Sequence, residues 1–282
     1  MVKILVDSAS DVDATEARER SIALISMQVR FGDEEYFDGV NLSHREFFEK
    51  LIENTEFPKT SQINETRWAE QFETLVADGS DVVAITLSSR LSGTYQSAVK
   101  AAKSFGGKVF VVDSYNACIG ERVLLEYALR LRDGGSGAEE MASRLNEAKK
   151  KIKLLAVLDT LKYLKKGGRI SSLTAFAGEL LSIKPVVAIE EGEVKLIGKA
   201  MGSKKGNNLL MQLVQKCGGI DFGMPYVIGY SGLDDSYLKK YLKDSESLYK
   251  GKAEEVPAYM IGSTIGAHIG PGGIAVAFFA EK

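Results

Sequence analysis

The 282-residue sequence is poor in the side chains that most often bind metal ions. It has two cysteines, Cys118 and Cys217, and two histidines, His44 and His268. The cysteines are far apart in the chain and belong to no metal-binding spacing motif. We therefore expect no metal site, and we interpret each cysteine as a small buried apolar residue.

An excess of either charge is also missing, as are long apolar runs. Lys plus Arg number 36 and Asp plus Glu number 38, so a general nucleic-acid-binding surface is not supported. No apolar run approaches the length of a membrane span, and acidic residues follow the short apolar run at the start, unlike in a signal peptide. We expect a cytoplasmic protein without stable membrane insertion.

Apolar residues make up 45% of the chain, enough to fill the core of one large domain or of two ordinary ones. In the first half, short apolar runs alternate with amphipathic segments. Such alternation predicts a mainly parallel sheet that is covered by helices on both faces. The predicted strands are 2–6, 23–29, 82–87 and 108–112, and the predicted helices are 43–54, 65–78, 92–105 and 120–132.

The glycine-rich stretch 133–137 predicts a linker, which divides the chain into an N-terminal α/β domain, 1–135, and a C-terminal α/β domain, 136–282. In the second domain we predict a helix over 138–151 and a mixed sheet. A glycine turn at 190–192 between two short apolar runs predicts a hairpin. The predicted strands are 154–158, 185–189, 193–197, 226–230, 254–257 and 274–280.

Three polar loops follow predicted strands of the first sheet, at 7–11, 88–92 and 113–116. Ligands of parallel sheets usually bind at the carboxyl ends of the strands, although Ser and Asp residues there are also common helix caps. Three such loops on one edge favour a ligand site, and Ser114 is a candidate for it.

Two hydroxyl-rich segments come before predicted helices. One is Lys59-Thr60-Ser61-Gln62, and the other contains Ser92 at a natural N-cap position, followed by Gly93. Hydroxyls beside free N–H groups of a helix start suit an anion, while a plain cap would use the same residues. Because no fixed cation accompanies these segments, we expect a carboxylate rather than a phosphate.

Two further segments combine glycine with a functional side chain. His268 lies in the glycine-rich segment 261–273, where glycine lets the backbone approach a ligand or another segment of the chain closely. The basic turn 164–171 contains Lys166 and Arg169. It is typical of a helix C-terminus, and it also suits a phosphate or an acidic partner surface.

Together, these segments resemble the DegV family, which includes the fatty-acid-binding subunits of bacterial fatty acid kinases. The resemblance runs over essentially the whole chain, from Asp7-Ser8 through KTSQ, the run 89–98, Asp113-Ser114, the turn 165–171 and the glycine-rich segment with His268. It implies a non-catalytic, lipid-binding protein that has no cofactor and holds a long-chain fatty acid in a tunnel between two α/β domains.

The resemblance also implies roles for single residues. Hydroxyls of Thr60 and Ser92 would hold the carboxylate, with His268 nearby, and a separate kinase would phosphorylate the acid to an acyl phosphate for phospholipid synthesis. The ligand-binding candidates are Thr60, Ser61, Ser92, Gly93, Ser114 and His268, and the partner-interface candidates are Lys166 and Arg169.

One position departs from the family pattern. Family members often carry an arginine within a basic stretch after the second-domain hairpin, and here Met201 stands in its place. If that arginine docks the kinase, docking here is weaker, differently built or absent. Ligand binding is not affected by this change.

Two other functions remain open from the residues alone. Ser92 and His268 could form the nucleophile and base of an acyl hydrolase, and the segment 229–232 comes close to a nucleophile elbow, with its second glycine one place too early. A nucleotide-dependent enzyme is the other alternative. The segment 270–275 fits G-x-G-x-x-A, but it leads into a predicted strand instead of a helix.

Overall fold

A computed structural model describes residues 1–170 and 183–281 of the chain. Its first half alternates strands and helices, as the apolar pattern predicts. In chain order the elements are β1 Val2–Asp7, α1 Ala14–Glu19, β2 Ala23–Ile25, β3 Gln28–Phe31, β4 Glu34–Phe37, α2 His44–Glu53, β5 Lys59–Ser61, α3 Glu65–Val76, β6 Asp81–Thr86, α4 Thr94–Ala102, β7 Val109–Asp113 and α5 Cys118–Asp133.

The second half contains longer strands and the predicted hairpin. Its elements are α6 Ala138–Ala148, β8 Ile152–Val157, α7 Lys162–Gly167, β9 Ile183–Glu190, β10 Glu193–Met201, α8 Gly202–Lys216, β11 Tyr226–Tyr230, α9 Ser236–Asp244, β12 Ala258–Met260, α10 Ser263–Ile269 and β13 Ile274–Phe279. Within the two described ranges, no helix is long and apolar enough to cross a membrane.

The first sheet is parallel and has the order β2-β1-β6-β7. Its apolar strand residues alternate between two helical layers because successive side chains of a strand point to opposite faces. Leu5 packs with Trp68 of α3, whereas Ile4 and Val6 pack on the side of α5. The predicted parallel sheet with helices on both faces is confirmed.

The second sheet is mixed and has the order β10-β9-β8-β13-β11-β12, with β11 and β12 paired in parallel and the other neighbouring strands antiparallel. Helices α8 and α9 cover its outer face, where Leu155 and Val157 are buried. Leu154 and Ala156 point to the inner face, toward α5. Helix α5 contacts strands of both sheets and forms the layer between them.

Helix α6 follows the predicted linker but packs against β6 and β7 of the first sheet. Its Met141 and Leu145 are fully buried there. The domain boundary at residue 135 stays a prediction, and this packing favours placing α6 with the first domain.

Two strand predictions are wrong in their bounds. The predicted strand 23–29 is split into β2 and β3, which belong to different sheets, because the chain turns at Met27, whose N–H donates to Ser8 Oγ at 3.0 Å. The predicted strand 254–257 is instead a 3-10 turn at Ala253–Glu255, and β12 begins only after Pro257. Proline has no N–H to give to the ladder, which accounts for this start.

A small antiparallel sheet of order β4-β3-β5 was not predicted. It contains Thr60, which pairs with Val29, and Ser61, which pairs with Gln28. The expectation that Thr60 and Ser61 lie at a helix start is therefore wrong. Helix α3 begins four residues further on and is capped by Asn64.

Candidate ligand-binding site

A mainly apolar cavity lies between the inner face of the second sheet and the loops that follow the first sheet. Its empty space is about 910 Å³, counted out to the open mouth. The second sheet and α10 supply most of the wall, and Cys118 at the start of α5 is also in it. The apolar wall includes Met27, Leu87, Leu91, Leu154, Ala156, Leu158, Leu164, Val187, Ile189, Val194, Ile261, Ile265, Ile269 and Ile274.

Polar side chains with free hydrogen-bonding capacity interrupt this wall. They come from segments far apart in the chain: Thr60, Gln62, Ser92, Arg169, Thr264 and His268. Three of them, Thr60, Arg169 and His268, also line a separate surface pocket, which we call the outer pocket. They therefore mark the place where the cavity meets the outside.

Thr60 and His268 are in direct contact. Thr60 Oγ1 and His268 Nε2 are 2.9 Å apart, so β5 in the first half is joined to the last turn of α10. Burial, and then the charge of Arg169, lower the pKa of His268 to about 4. The imidazole is accordingly neutral at neutral pH and offers one N–H and one acceptor nitrogen.

The ring of His268 fits against Gly167, the last residue of α7. A Cβ atom on Gly167 would collide with His268 Nδ1, so only glycine allows this approach. Nδ1 itself is buried and has no hydrogen-bond partner within the described part of the chain. Glycines of the segment 261–273 also allow the predicted close approach, since Gly266 lies against the Phe47 ring and Gly270 against the Tyr163 ring.

Ser92 is tied to Thr94 rather than to the histidine. The two hydroxyl oxygens are 2.9 Å apart, and Thr94 Oγ1 also accepts the N–H of Ile63 at 3.3 Å. These bonds hold the two hydroxyl-rich segments side by side. The prediction that Ser92 is the N-cap is wrong, because α4 has Gly93 at that position. A Cβ atom on Gly93 would collide with the end of the Gln62 side chain.

The first turn of α10 is anchored by buried aspartates. Asp38 accepts the N–H groups of Ser263 and Thr264, both at 2.9 Å, and Asp11 accepts the N–H of Gly262 at 2.8 Å. Burial raises the pKa of Asp11 to about 6. The donors at the start of α10 are thus used by the protein, and a ligand at the cavity must rely on side chains.

Three of the ligand-binding candidates, Ser61, Gly93 and Ser114, do not line the cavity. Ser61 is exposed on β5, on the side opposite Thr60. Ser114 is fully buried within its own turn, where its hydroxyl donates to Asn116 O and accepts the N–H of Asn116. The other two polar loops serve the fold in the same way: Asp7 accepts from Leu87 N, and Ser88 donates to Gly192 O.

Arg169 changes the expected electrostatics of the site. The sequence predicted no fixed cation near the hydroxyls, which is wrong, because this exposed guanidinium lines both the cavity and the outer pocket. It donates to Gly167 O at 2.7 Å.

Lys166 lines the outer pocket and not the cavity, and its ammonium is 5.0 Å from the centre of the Phe57 ring. The sequence gives no signal for the roles of Gln62, which lines the cavity, and of Thr94, which bonds Ser92.

The hydrolase alternative requires a nucleophile beside a base. His268 Nε2 is bonded to Thr60, and Ser92 Oγ is bonded to Thr94. The elbow-like Ser231 accepts the N–H of Gly273 at 2.8 Å. Neither serine therefore shows the contact that hydrolysis would need. Among the described residues, no group of three or more His, Cys, Asp or Glu side chains is placed to hold a metal ion.

The fold and the cavity define a two-domain α/β protein with an internal apolar site that is polar where it opens. The family model described as "Uncharacterised protein, DegV family" matches residues 1–281. A DegV domain-containing protein of Caldanaerobacter subterraneus is 32% identical over 284 residues, covering 100% of this chain and 99% of the relative. The chain belongs to the DegV family, and the predicted family is confirmed.

Solved structures of relatives agree over their whole length. A DegV family protein from Thermus thermophilus, described by its fatty acid binding, has a TM-score of 0.86 at 28% identity and covers 99% of both chains. A protein from Eubacterium ventriosum, described as stearic acid-binding, has a TM-score of 0.84 at 26% identity and covers 98% of this chain and 97% of its own. The predicted fold class is confirmed by these likenesses.

Proposed function

We propose that the protein binds one long-chain fatty acid, with the hydrocarbon tail in the cavity and the carboxylate beside Thr60, Ser92 and His268. The observation that carries the proposal is the set of polar side chains where an otherwise apolar cavity opens. The descriptions of the two solved relatives as fatty-acid-binding support the same ligand class. No cofactor is needed for this role.

The tail supplies the affinity. Each methylene removed from water contributes about 0.8 kcal/mol, so a chain of roughly sixteen carbons gains on the order of 10 kcal/mol before the loss of motion is subtracted. The wall of leucine, isoleucine and valine side chains offers the surroundings that this transfer requires. A hydrocarbon tail makes no directional contacts, so the head group must set the orientation of the bound acid.

The head group needs donors, because burying an unpaired carboxylate is costly. The hydroxyls of Thr60 and Ser92 can rotate toward it, and the neutral imidazole of His268 can donate from Nε2. Arg169 adds a positive charge on the outer side. With these groups the site can hold a single carboxylate without a fully buried cation.

We further propose that the bound acid is presented to a separate kinase, which transfers a phosphoryl group to a carboxylate oxygen and so makes an acyl phosphate. Support comes from the outer pocket, where Lys59, Lys166 and Arg169 lie beside Thr60 and His268. Cations at this place would stabilise the charge of the arriving phosphate. A cytoplasmic location, as expected from the sequence, is part of this proposal.

Met201 bears on the kinase. Its side chain is 65% exposed at the end of β10, on a surface that a partner can reach. Methionine cannot make the ion pair of an arginine at this position. Docking that depends on Lys166 and Arg169 would explain how a kinase binds without it.

The test of the ligand is extraction and mass spectrometry of the protein purified from cells. We expect fatty acid in a one-to-one ratio. Thr60→Val and Ser92→Ala should each weaken retention about tenfold to a hundredfold, because one hydrogen bond to a charged group contributes roughly 1.5–3 kcal/mol. Ser61→Ala, on the same strand and facing away, is the matched control and should retain the acid. Absence of lipid, or full retention in both site variants, contradicts the proposal.

The test of presentation uses the loaded protein with a fatty acid kinase and ATP, with hydroxylamine as a trap for acyl phosphate. Arg169→Ala should slow its formation, and Arg45→Ala, which removes an exposed arginine elsewhere, should not. Equal rates in the two variants would argue against the outer pocket as the place of phosphoryl transfer.

A further inference from the structure

The cavity is bordered by a second surface pocket besides the outer pocket. This second pocket shares three wall residues with the cavity, Leu154, Ala188 and Ile189. The outer pocket shares Thr60, Arg169 and His268 with the cavity instead, and the two surface pockets have no wall residue in common. Within the described residues, the cavity therefore borders the outer pocket through polar side chains, at what we call the polar end. It borders the second pocket through apolar side chains, at what we call the apolar end.

Strand pairing gives the direction between these ends. Leu154, Ala156 and Leu158 line the cavity along β8 and the residue after it. Leu158 lies at the polar end. Its neighbour Val157 pairs with Ile274, the first residue of β13, and a short loop joins β13 to the end of α10, where His268 lies. At a rise of about 3.3 Å per residue, Leu154 is about 13 Å further along.

At that far end β9 runs antiparallel to β8. Ala188 pairs with Leu155, so the next residue, Ile189, lies beside Leu154. Leu154 is buried, with 6% of its surface exposed, and Ile189 is half-buried. Both residues line the cavity and also the second pocket, so we infer that they separate the two spaces, and we call them the partition.

The second pocket differs from the cavity in its chemistry. Its wall carries charged side chains: Lys149, Lys150, Lys153, Glu190, Glu191 and Lys195. A methyl group that crossed the partition would leave apolar surroundings for water and charges, and it would gain nothing from the transfer. An acyl chain held by its carboxylate at the polar end is therefore limited in length by the partition.

We propose that Leu154 and Ile189 set the longest acyl chain that this protein accepts, and that the second pocket receives the end of a longer chain once the partition is cut back. The proposal rests on the proposed binding of a fatty acid with its carboxylate at Thr60, Ser92 and His268. It adds the residues that limit the length of the acyl chain at the opposite end of the cavity.

The experiment compares the affinities of the delipidated protein for palmitic acid and for the longer arachidic and behenic acids, by competition against a fluorescent fatty acid. In Ile189→Ala and in Leu154→Ala, the ratio of affinities for the longer acids over palmitic acid should rise about tenfold. This corresponds to roughly two further methylenes placed out of water. Ile189 is half-buried, so its variant should fold even if Leu154→Ala does not, and circular dichroism checks both.

Leu158→Ala is the matched control. It removes the same atoms as Leu154→Ala from the same cavity wall, but at the polar end, directly after β8, so the ratio should stay at the wild-type value. If Ile189→Ala still binds palmitic acid but its affinity ratio is unchanged, the proposal is overturned. An equal rise of the ratio in Leu158→Ala overturns it as well. If the wild-type protein binds none of these acids, the proposed function itself fails.

Discussion

His268 shows how one side chain is adjusted by its surroundings. It contacts Thr60 through Nε2, packs its other nitrogen against Gly167 and lies close enough to Arg169 for the positive charge to act on it. Burial and this charge both disfavour the imidazolium. The ring is therefore neutral at neutral pH, and the charged group beside it, Arg169, is exposed.

A bound carboxylate should reverse this balance. Its negative charge favours the imidazolium, so the pKa of His268 should rise from about 4 in the ligand-free protein when a fatty acid is added. The measurement is an NMR titration of the imidazole protons. With only two histidines in the chain, the variant His268→Gln assigns the signals. A pKa that stays the same or falls on loading would place the carboxylate away from this ring.

At the scale of elements, the N-terminus of helix α10 is capped by a residue from a distant segment of the chain. Asp38 lies just after β4 and caps α10 from the other half of the chain, with both carboxylate oxygens used. Asp13 provides the same kind of cap for α1, where it accepts the N–H groups of Thr15 and Glu16 within its own segment. The two caps are alike in chemistry and differ in what they position.

Asp38→Ala and Asp13→Ala therefore make a matched pair. Asp38→Ala leaves two buried N–H groups unpaired and should lower the free energy of unfolding by about 3 kcal/mol, whereas the half-buried cap at Asp13 contributes about 1 kcal/mol. Fatty acid affinity should fall only in Asp38→Ala, because only α10 carries His268. Urea unfolding and ligand competition measure both quantities. Equal losses of affinity in the two variants would show that α10 is not positioned in this way.

The sequence predicted those elements whose signal is local. The buried strands of the first sheet and the hairpin at 190–192 follow from runs of neighbouring apolar residues and a glycine turn. The small sheet β4-β3-β5 was missed because its strands are three or four residues long and Glu34, Glu35 and Lys59 are exposed in it. Its existence depends on pairing between distant segments.

The candidate site was likewise predictable where its signal is local in the sequence. The hydroxyls of Thr60 and Ser92 stood out through their motifs, and so did His268 among glycines. The place of Arg169 was not predictable, since it reaches the cavity only because α7 packs against α10. Ser114 was misleading, because a serine after a strand looks the same in the sequence whether it binds a ligand or closes its own turn.

At the scale of the whole molecule, helix α5 and its Arg122 connect the two halves. The guanidinium of Arg122 is fully buried, pairs with Glu16 of α1 at 2.6 Å and donates to Asp11 O at 2.6 Å. It also stacks 3.7 Å from the ring centre of Tyr259 in β12. Elements from both ends of the chain thus meet at one side chain beside the segment that anchors α10.

A ligand that contacts both halves should stabilise this arrangement. Removing the lipid should lower the thermal unfolding temperature, and adding palmitic acid at about a hundred times its Kd should restore about 2.7 kcal/mol. Scanning calorimetry of loaded, delipidated and reloaded protein gives the values. Identical unfolding temperatures in all three forms would mean that the native state gains nothing from the acid.

The hydrogen-bonded pairs at the cavity affect how a carboxylate would enter it. Thr60 is bonded to His268, and Ser92 to Thr94, so the groups that would receive the carboxylate already satisfy one another. Under the proposed function, an arriving carboxylate would exchange these bonds for its own. Loading would then change the partners of the hydroxyls more than the number of their hydrogen bonds.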